Sequence, residues 1–209
     1  MFKERLCKIT YIAHGATIYT EENRLTDNEN YPPLNEEGYE ETEHICSFLK
    51  IRRIKNDKIY ASSGSRVLES AEIIAKIYKK SVEINDNLTP RKQGEWNNLT
   101  IEKILKTNAD VVKTLLKTPK IPPCEGAESL NDFTKRIGKE IDKIIKDNIG
   151  NRIIIVTYPD VIQAAIVSAL KLPPQTMLNF SIKTGSATQI SYYKNSNLLK
   201  YSGFIPINL

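Results

Sequence analysis

Short apolar runs alternate with longer segments of helical periodicity along most of this chain. The clearest buried strand is predicted at 152–157 (RIIIVT), and the run at 8–13 (KITYIA) has the same β-branched, apolar character. Weaker strand signals lie at 57–62 and 82–84. Apolar residues spaced by three and four positions predict helices at about 36–52, 66–78, 129–149 and 159–170, with one or two more within 101–117.

Strands and helices that alternate in this way predict βαβ units, and therefore a three-layer α/β/α sandwich with a mostly parallel sheet. The polar, proline-containing stretches at 20–35 and 86–100 are predicted to be loops. The tail shows two further strand-like stretches, at 188–193 and 198–201, separated by an Asn-Ser-Asn turn. A length of 209 residues suits one domain over 1–209.

Ligand sites in such sheets lie beyond the carboxyl ends of the strands. Two of the predicted strands lead into loops with polar residues, one at His14 and the other at Tyr158. Because each loop follows a strongly apolar strand, the fold favours a site where the two loops meet.

The charge balance is mildly basic, with 30 lysines and arginines against 25 aspartates and glutamates, a net charge of +5. The excess is spread along the sequence in short runs such as Arg52-Arg53 and Lys79-Lys80. A nucleic-acid or acidic-membrane interface requires basic residues clustered on one face. The pattern therefore favours a solvated, lysine-rich surface, and nucleic-acid binding rests only on the pI of about 8.9.

Cysteine usage and hydropathy favour a soluble protein of the cytoplasm. Cys7, Cys46 and Cys124 are far apart and odd in number, which indicates reduced thiols. The apolar run after the N-terminus is too short for a secretory signal, and no stretch approaches the roughly 18 residues of a membrane helix. Cys46 and Arg52 have the Cys-x5-Arg spacing of cysteine phosphatases, but the residues between them are helical in pattern and contain no glycine.

A series of short motifs gives the chain a more specific character. In order, the motifs are Ala13-His14-Gly15-Ala16-Thr17, Arg24, Leu34-Asn35-Glu36-Glu37-Gly38, Ser62-Ser63-Gly64-Ser65-Arg66, Glu69-Ser70-Ala71-Glu72, Gly94-Glu95-Trp96, Gly126-Ala127-Glu128-Ser129 and the strand-turn-helix pattern of 153–162. Together they resemble the motifs of the histidine-phosphatase (phosphoglycerate mutase-like) superfamily, from residue 8 to about 170. Each motif is weak alone, and their common order makes the resemblance specific.

The resemblance implies phosphoryl transfer to a histidine nitrogen and assigns a role to several residues. His14 occupies the nucleophile position, and its imidazole must be neutral to attack. The resemblance places Arg66, Thr17, Arg24 and Gly15 around the phosphate, where donors and cations stabilise the transferred group. The implied ligand is phosphate or a phosphorylated small molecule, and the family's chemistry requires neither a metal ion nor a cofactor.

Three family positions hold residues that cannot perform the family's chemistry. Ala13 stands in place of the first arginine, Pro90 in place of the proton-donating glutamate and Tyr158 in place of the second histidine. Loss of a general acid costs about 10²–10⁴ in rate, and loss of an electrostatic donor costs about 10²–10³. Tyr158 is equally compatible with a packing role. Three carboxylates remain open as substitutes for the missing acid, namely Glu95, Asp86 and Asp160.

Two function classes follow from this pattern. The first is a pseudo-phosphatase that keeps some affinity for phosphate and acts through binding, with a protein partner or as a subunit of an oligomer. The second is a diverged phosphomonoesterase or mutase-like enzyme that uses His14 with a relocated acid. A phosphohistidine trapped during turnover would distinguish the second from the first.

Overall fold

The computed structural model describes residues 4–26 and 32–206. Within these residues six strands form one sheet: β1 (Arg5–Ala13), β2 (Lys58–Ala61), β3 (Val82–Ile84), β4 (Arg152–Thr157), β5 (Ala187–Tyr193) and β6 (Asn197–Phe204). The α-helices are α1 (Ile18–Glu21), α2 (Glu36–Ile51), α3 (Ser65–Tyr78), α4 (Ile101–Thr107), α5 (Ala109–Lys117), α6 (Leu130–Asp147) and α7 (Pro159–Leu170). Short 3₁₀ helices lie at Asp86–Leu88, Gly94–Trp96 and Pro174–Asn179.

The sheet has the strand order β3-β2-β4-β1-β5-β6, and its first four strands are parallel. Strands β5 and β6 join β1 in antiparallel orientation. This arrangement confirms the predicted α/β fold with a mostly parallel sheet.

Helices cover both faces of the central strands. Side chains of a strand alternate between the two faces of its sheet, and every residue of 9–13 and 153–157 is buried. Such burial requires a layer on each face, as in other parallel sheets. On these layers α2 packs against α3, and α6 packs against α7.

Local sequence signals explain where the helices begin and end. The side chain of Asn35 accepts a hydrogen bond from the Gly38 amide and caps α2, and Ser129 caps α6 through the Asp132 amide. The segment 101–117 forms two helices that meet at Asn108. The loop predicted at 20–35 overlaps the end of the short helix α1, and its residues 27–31 lie outside the described residues.

Among the residues that the structure describes, no helix combines the length and apolarity required to span a bilayer.

Candidate active site

Residues that follow two neighbouring parallel strands form a pocket at the carboxyl edge of the sheet. Ala13 at the end of β1 is in register with Thr157 at the end of β4, so His14 and Tyr158 leave the sheet side by side. The amide of His14 donates to the carbonyl of Thr157 at 3.0 Å. The two rings meet edge to face with 5.5 Å between their centroids. The prediction that the two loops meet is confirmed.

The pocket has a volume of about 190 Å³. Among the residues singled out from the sequence, those that line it are His14, Thr17, Arg24, Arg66, Pro90, Tyr158 and Asp160. Glu95 and Asp86 do not line it, and both side chains are exposed. Of the three carboxylates open as a substitute acid, only Asp160 therefore shares the pocket with His14.

The His14 ring is held in the form that a nucleophile requires. Its Nδ1 lies 2.7 Å from the carbonyl oxygen of Gly15. Because a carbonyl oxygen only accepts hydrogen bonds, Nδ1 carries the proton and Nε2 keeps its lone pair. The ring is 3% exposed, and burial together with the charge of Arg66 lowers the pKa of His14 from 6.5 to about 3. The imidazole is therefore neutral throughout the physiological pH range.

This low pKa makes the stability of the fold depend on pH. Between pH 6.5 and about 3 the unfolded chain binds a proton at His14 that the folded chain does not bind. The free energy of unfolding should therefore fall, by roughly 1.4 kcal/mol per pH unit, as the pH is lowered through this window. We expect the free energy of unfolding of His14→Gln, measured with denaturant, to lack this pH-dependent contribution. Equal slopes for wild type and variant between pH 4 and 6 would contradict the assignment.

Side chains of α2 and α3 hold the loop that carries His14 in place. The Gly15 amide donates to Oγ of Ser70 at 3.1 Å, and the Ala16 amide donates to Oε2 of Glu41 at 2.8 Å. A Cβ at Gly15 would lie 2.2 Å from the carbonyl oxygen of Gly38, so a side chain there would separate the loop from α2. Gly15 was predicted to bind phosphate, but its amide is engaged by Ser70 and it does not line the pocket.

Arg66 is the buried cation of the pocket. It lies in the first turn of α3, is 3% exposed and donates from Nη2 to Oγ1 of Thr26 at 2.9 Å. Its guanidinium carbon lies 4.9 Å from the centroid of the Tyr158 ring, a cation–π distance. Tyr158, at 2% exposure, thus contacts both His14 and Arg66.

The two other predicted phosphate ligands have local partners. The Nε of Arg24 forms an ion pair with Glu22, and its Nη1 donates to the carbonyl of Asn98 at 2.8 Å. The hydroxyl of Thr17 caps α1 by accepting from the Thr20 amide at 3.3 Å. Glu22 compensates the charge of Arg24, and the hydroxyl of Thr17 is already used as a helix cap.

Two of the three replaced family positions, Pro90 and Tyr158, line the pocket. Pro90 lines the pocket, and its carbonyl accepts from Nη2 of Arg136 at 3.2 Å. Ala13 is 1% exposed at the end of β1 and does not line the pocket. Pro90 and Ala13 therefore supply neither a proton nor a charge.

Asp160 brings a carboxyl group into the pocket from the first turn of α7. Its Oδ2 accepts from the Arg91 amide at 2.8 Å, and its Oδ1 accepts from the Val161 amide at 2.8 Å. Burial raises the pKa of Asp160, while the amide of Arg91 and the charges of Arg91 and Arg136 oppose the rise. Asp160 is thus a carboxyl group in the wall of the pocket, with both oxygens hydrogen-bonded to backbone amides.

Three residues in two loops at the pocket were not identified from the sequence. Thr26 and Gln93 line the pocket, and Arg91 lies behind it at 8% exposure. Arg91 donates from Nη1 to the carbonyl of Glu128 at 2.9 Å and from Nη2 to Oε1 of Gln93 at 2.8 Å. The only available signal was their position in predicted loops next to Arg24 and Pro90. Across residues 4–26 and 32–206, no group of three or more histidines, cysteines, aspartates or glutamates is arranged to hold a metal ion.

Comparison with known proteins places this geometry in context. Residues 9–203 match the family model of the histidine phosphatase superfamily (branch 1). The chain is 22% identical over 202 residues to a bifunctional protein of Mycobacterium tuberculosis, covering 95% of this chain but only 55% of that protein. It therefore spans about half the length of that relative. It is 25% identical to a 2,3-bisphosphoglycerate-dependent phosphoglycerate mutase of Parvibaculum lavamentivorans, covering 85% of this chain and 87% of the mutase.

A solved structure shows the same fold. The mycobacterial glucosyl-3-phosphoglycerate phosphatase in complex with VO3 superposes with a TM-score of 0.84 at 19% identity, over 94% of this chain and 98% of the phosphatase. At this identity the likeness establishes the fold alone, whereas the family model covers nearly the whole chain. The chain thus belongs to the histidine phosphatase superfamily, in its branch 1.

Proposed function

We propose that this chain is a pseudo-phosphatase, which binds a phosphate group in the His14 pocket and has lost most or all turnover. The proposal rests on the residues that share one pocket with His14. The positions for the acid and the second histidine are held there by Pro90 and Tyr158. Such a protein acts through what it binds, a phosphorylated small molecule or a protein partner.

Retained phosphate binding is supported by the charge and shape of the pocket. Arg66 supplies a buried guanidinium, and its bond to Thr26 and its contact with Tyr158 hold it in place. Charge-assisted hydrogen bonds from a buried arginine to phosphate oxygens are among the stronger ones in proteins. The neutral Nε2 of His14 leaves room for a phosphoryl group without adding a second charge.

Lost turnover is supported by the absence of a suitable proton donor at Pro90. Phosphomonoester cleavage needs a donor for the leaving oxygen, and that donor is worth about 10²–10⁴ in rate. The Tyr158 phenol, unlike an imidazolium, provides no positive charge for the transferred group. Asp160 adds negative charge near the phosphate, which opposes the developing charge of the transition state.

A diverged phosphomonoesterase is the second candidate, and the position of Asp160 favours it. Asp160 lines the His14 pocket, and burial raises its pKa toward the range of a general acid. Against this role, both carboxyl oxygens accept hydrogen bonds from backbone amides, which stabilise the ionised form. We therefore rank this candidate second.

One pair of measurements tests the proposal. Hydrolysis of p-nitrophenyl phosphate should be at background for wild type, His14→Ala and the exposed control His44→Ala. Vanadate or phosphate should still bind to wild type and His44→Ala in a calorimeter, and Arg66→Gln should weaken this binding by roughly tenfold or more. All variants are first compared by thermal unfolding.

The opposite pattern would establish the second candidate. Turnover in wild type and His44→Ala that disappears in both His14→Ala and Asp160→Asn would show an active enzyme with Asp160 as its acid. Absence of phosphate and vanadate binding in the folded wild type would refute the binding role itself.

A further inference from the structure

A second, larger pocket lies between the end of α2 and the strands β1, β5 and β6. It has a volume of about 550 Å³, within the range typical of small-molecule sites, roughly 300–1,000 Å³. Lys8 and Arg152, which are partners in the β1–β4 register near the amino ends of these strands, form part of its wall. His14 lies six residues further along the chain from Lys8, a distance of roughly 20 Å in an extended strand. The two pockets are therefore separate sites.

Five cations line this second pocket, and its lining residues include no aspartate or glutamate. They come from three parts of the chain: Lys8, the turn after α2 with Arg52, Arg53 and Lys55, and Arg152. None forms a salt bridge with a carboxylate of the described residues. Asp57 contacts Arg152 through the backbone: its Oδ2 accepts from the amide of Arg152 at 2.7 Å, and the guanidinium takes no part in that bond.

The number of cations in this cluster, five, equals the net charge of +5 of the chain. The other 25 lysines and arginines equal the 25 aspartates and glutamates. Residues spread along the sequence thus gather at one place in the fold, contrary to the even surface distribution expected from the sequence. Burial, followed by the charges of Arg5, Lys200 and Arg152, lowers the pKa of Lys8, and of these three cations Arg152 lines the pocket. A bound anion would relieve this repulsion.

Stabilisation of a helix end explains only part of the cluster. Arginines in the last turn of a helix interact favourably with its dipole, which covers Arg52 and Arg53 after α2. Arg53, however, has a left-handed backbone with φ of 48°, a conformation that glycine adopts at less cost. Lys8 and Arg152 lie on strands, so the helix end gives no reason for their presence.

An aromatic cluster forms the other wall of the pocket. The rings of Phe48 and Phe204 lie 4.9 Å apart, and Tyr201 lies 6.2 Å from each. Phe204 is 39% exposed and lines the pocket together with the cations. Gln189 completes this side. Its side-chain Nε2 donates to Oγ1 of Thr10 at 3.0 Å, and its side-chain oxygen Oε1 makes no hydrogen bond to the described residues.

We propose that this pocket binds a nucleotide, with its phosphates on the cations of Arg53 and Arg152 and its base on the ring of Phe204. Free cations select phosphate groups, and the exposed aromatic face offers stacking to a planar base. The side-chain oxygen Oε1 of Gln189 can accept a hydrogen bond from an exocyclic amine of the base. The concave shape favours a small ligand over an extended polymer.

The test is calorimetric titration of the full chain with ATP, inorganic triphosphate and adenosine. ATP should bind more tightly than either of the others, because it alone uses both walls. Arg53→Gly should weaken ATP binding by about threefold to tenfold, the effect of one partly exposed ion pair. Its melting temperature should be unchanged or higher, because glycine suits the left-handed position.

Two further variants sharpen the interpretation. Phe204→Ala should lower the affinity for ATP about fivefold or more while that for triphosphate stays the same, since only the base stacks on the ring. Lys79→Gly is the matched control, because Lys79 is an exposed cation with a φ of 52° at the end of α3 and does not line the pocket. It should leave ATP binding within about twofold of wild type.

Each contrary result overturns the nucleotide site. Equal affinities for ATP and triphosphate, or no effect of Phe204→Ala, would leave an adventitious anion site only. ATP binding that is lost in Arg66→Gln but kept in Arg53→Gly would place the nucleotide in the His14 pocket. A single-stranded oligonucleotide that binds a hundredfold or more tighter than ATP would identify a nucleic-acid surface instead.

Discussion

The double substitution Pro90→Glu with Tyr158→His is expected to raise phosphomonoester hydrolysis by about 10²-fold or more over the wild type. Both positions line the pocket that holds His14 and Arg66, so the new carboxyl and imidazole groups would face the same space. Histidine is smaller than tyrosine and fits the buried position, although Arg66 loses its aromatic partner. Ala13 is left unchanged because it is 1% exposed and an arginine there would require repacking.

The measurement is the initial rate of p-nitrophenyl phosphate hydrolysis, followed by detection of phosphohistidine. The same double substitution in a His14→Ala background is the control, and it should return the rate to background. If the double variant folds, binds vanadate and still shows no turnover, the loss of activity has a cause other than Pro90 and Tyr158. Such a result would direct attention to Ala13 and to the carboxylate of Asp160.

Gly38→Ala is expected to lower the free energy of unfolding by about 2–3 kcal/mol, the cost of overpacking. Gly38 lies in the first turn of α2, where helix propensity alone would make alanine more favourable by about 1 kcal/mol. A Cβ there would, however, lie 2.2 Å from the carbonyl oxygen of Ala16, so the loop that carries His14 must move. Vanadate affinity should fall together with stability, because the same loop positions the ring.

Gly138→Ala in α6 is the matched control. Its Cβ would meet a side-chain atom, Oγ of Ser168 at 2.5 Å, which can rotate away, whereas the Ala16 carbonyl cannot. Chemical denaturation of both variants should show that Gly138→Ala changes the free energy of unfolding by no more than about 1 kcal/mol. Equal losses in the two variants would mean that close approach of the His14 loop to α2 is not what requires glycine at position 38.

The parts of the site that the sequence predicted are those fixed by local order along the chain. His14 and Tyr158 each follow an apolar strand, and parallel strands bring such positions to one edge. The resemblance also assigned Pro90 to a site position, and Pro90 lines the pocket. Glu95 and Asp86 illustrate the limit, since a shift of a few residues within a loop turns a side chain from the pocket to the solvent.

Features that depend on distant parts of the chain could not be predicted in this way. The partner of Asp160 is an amide 69 residues away, and the partner of Ala16 is a carboxylate on α2. The second pocket combines residues near positions 8, 52 and 152, each unremarkable in its own segment. Local periodicity contains no information on such pairings, because they follow from strand order and helix packing. For the same reason, the positive cluster could be recognised only in the folded chain.

The position of β1 in the sheet has a consequence for the order of folding. This strand begins at residue 5, yet it pairs on one side with 152–157 and on the other with 187–193. Closing loops of this length carries an entropic cost, and topologies rich in distant contacts fold slowly. During synthesis β1 precedes both of its partners and must therefore wait for β4 and β5 before the sheet closes around it. The amide of His14, which is bonded to residue 157, should gain protection from hydrogen exchange only at that late stage.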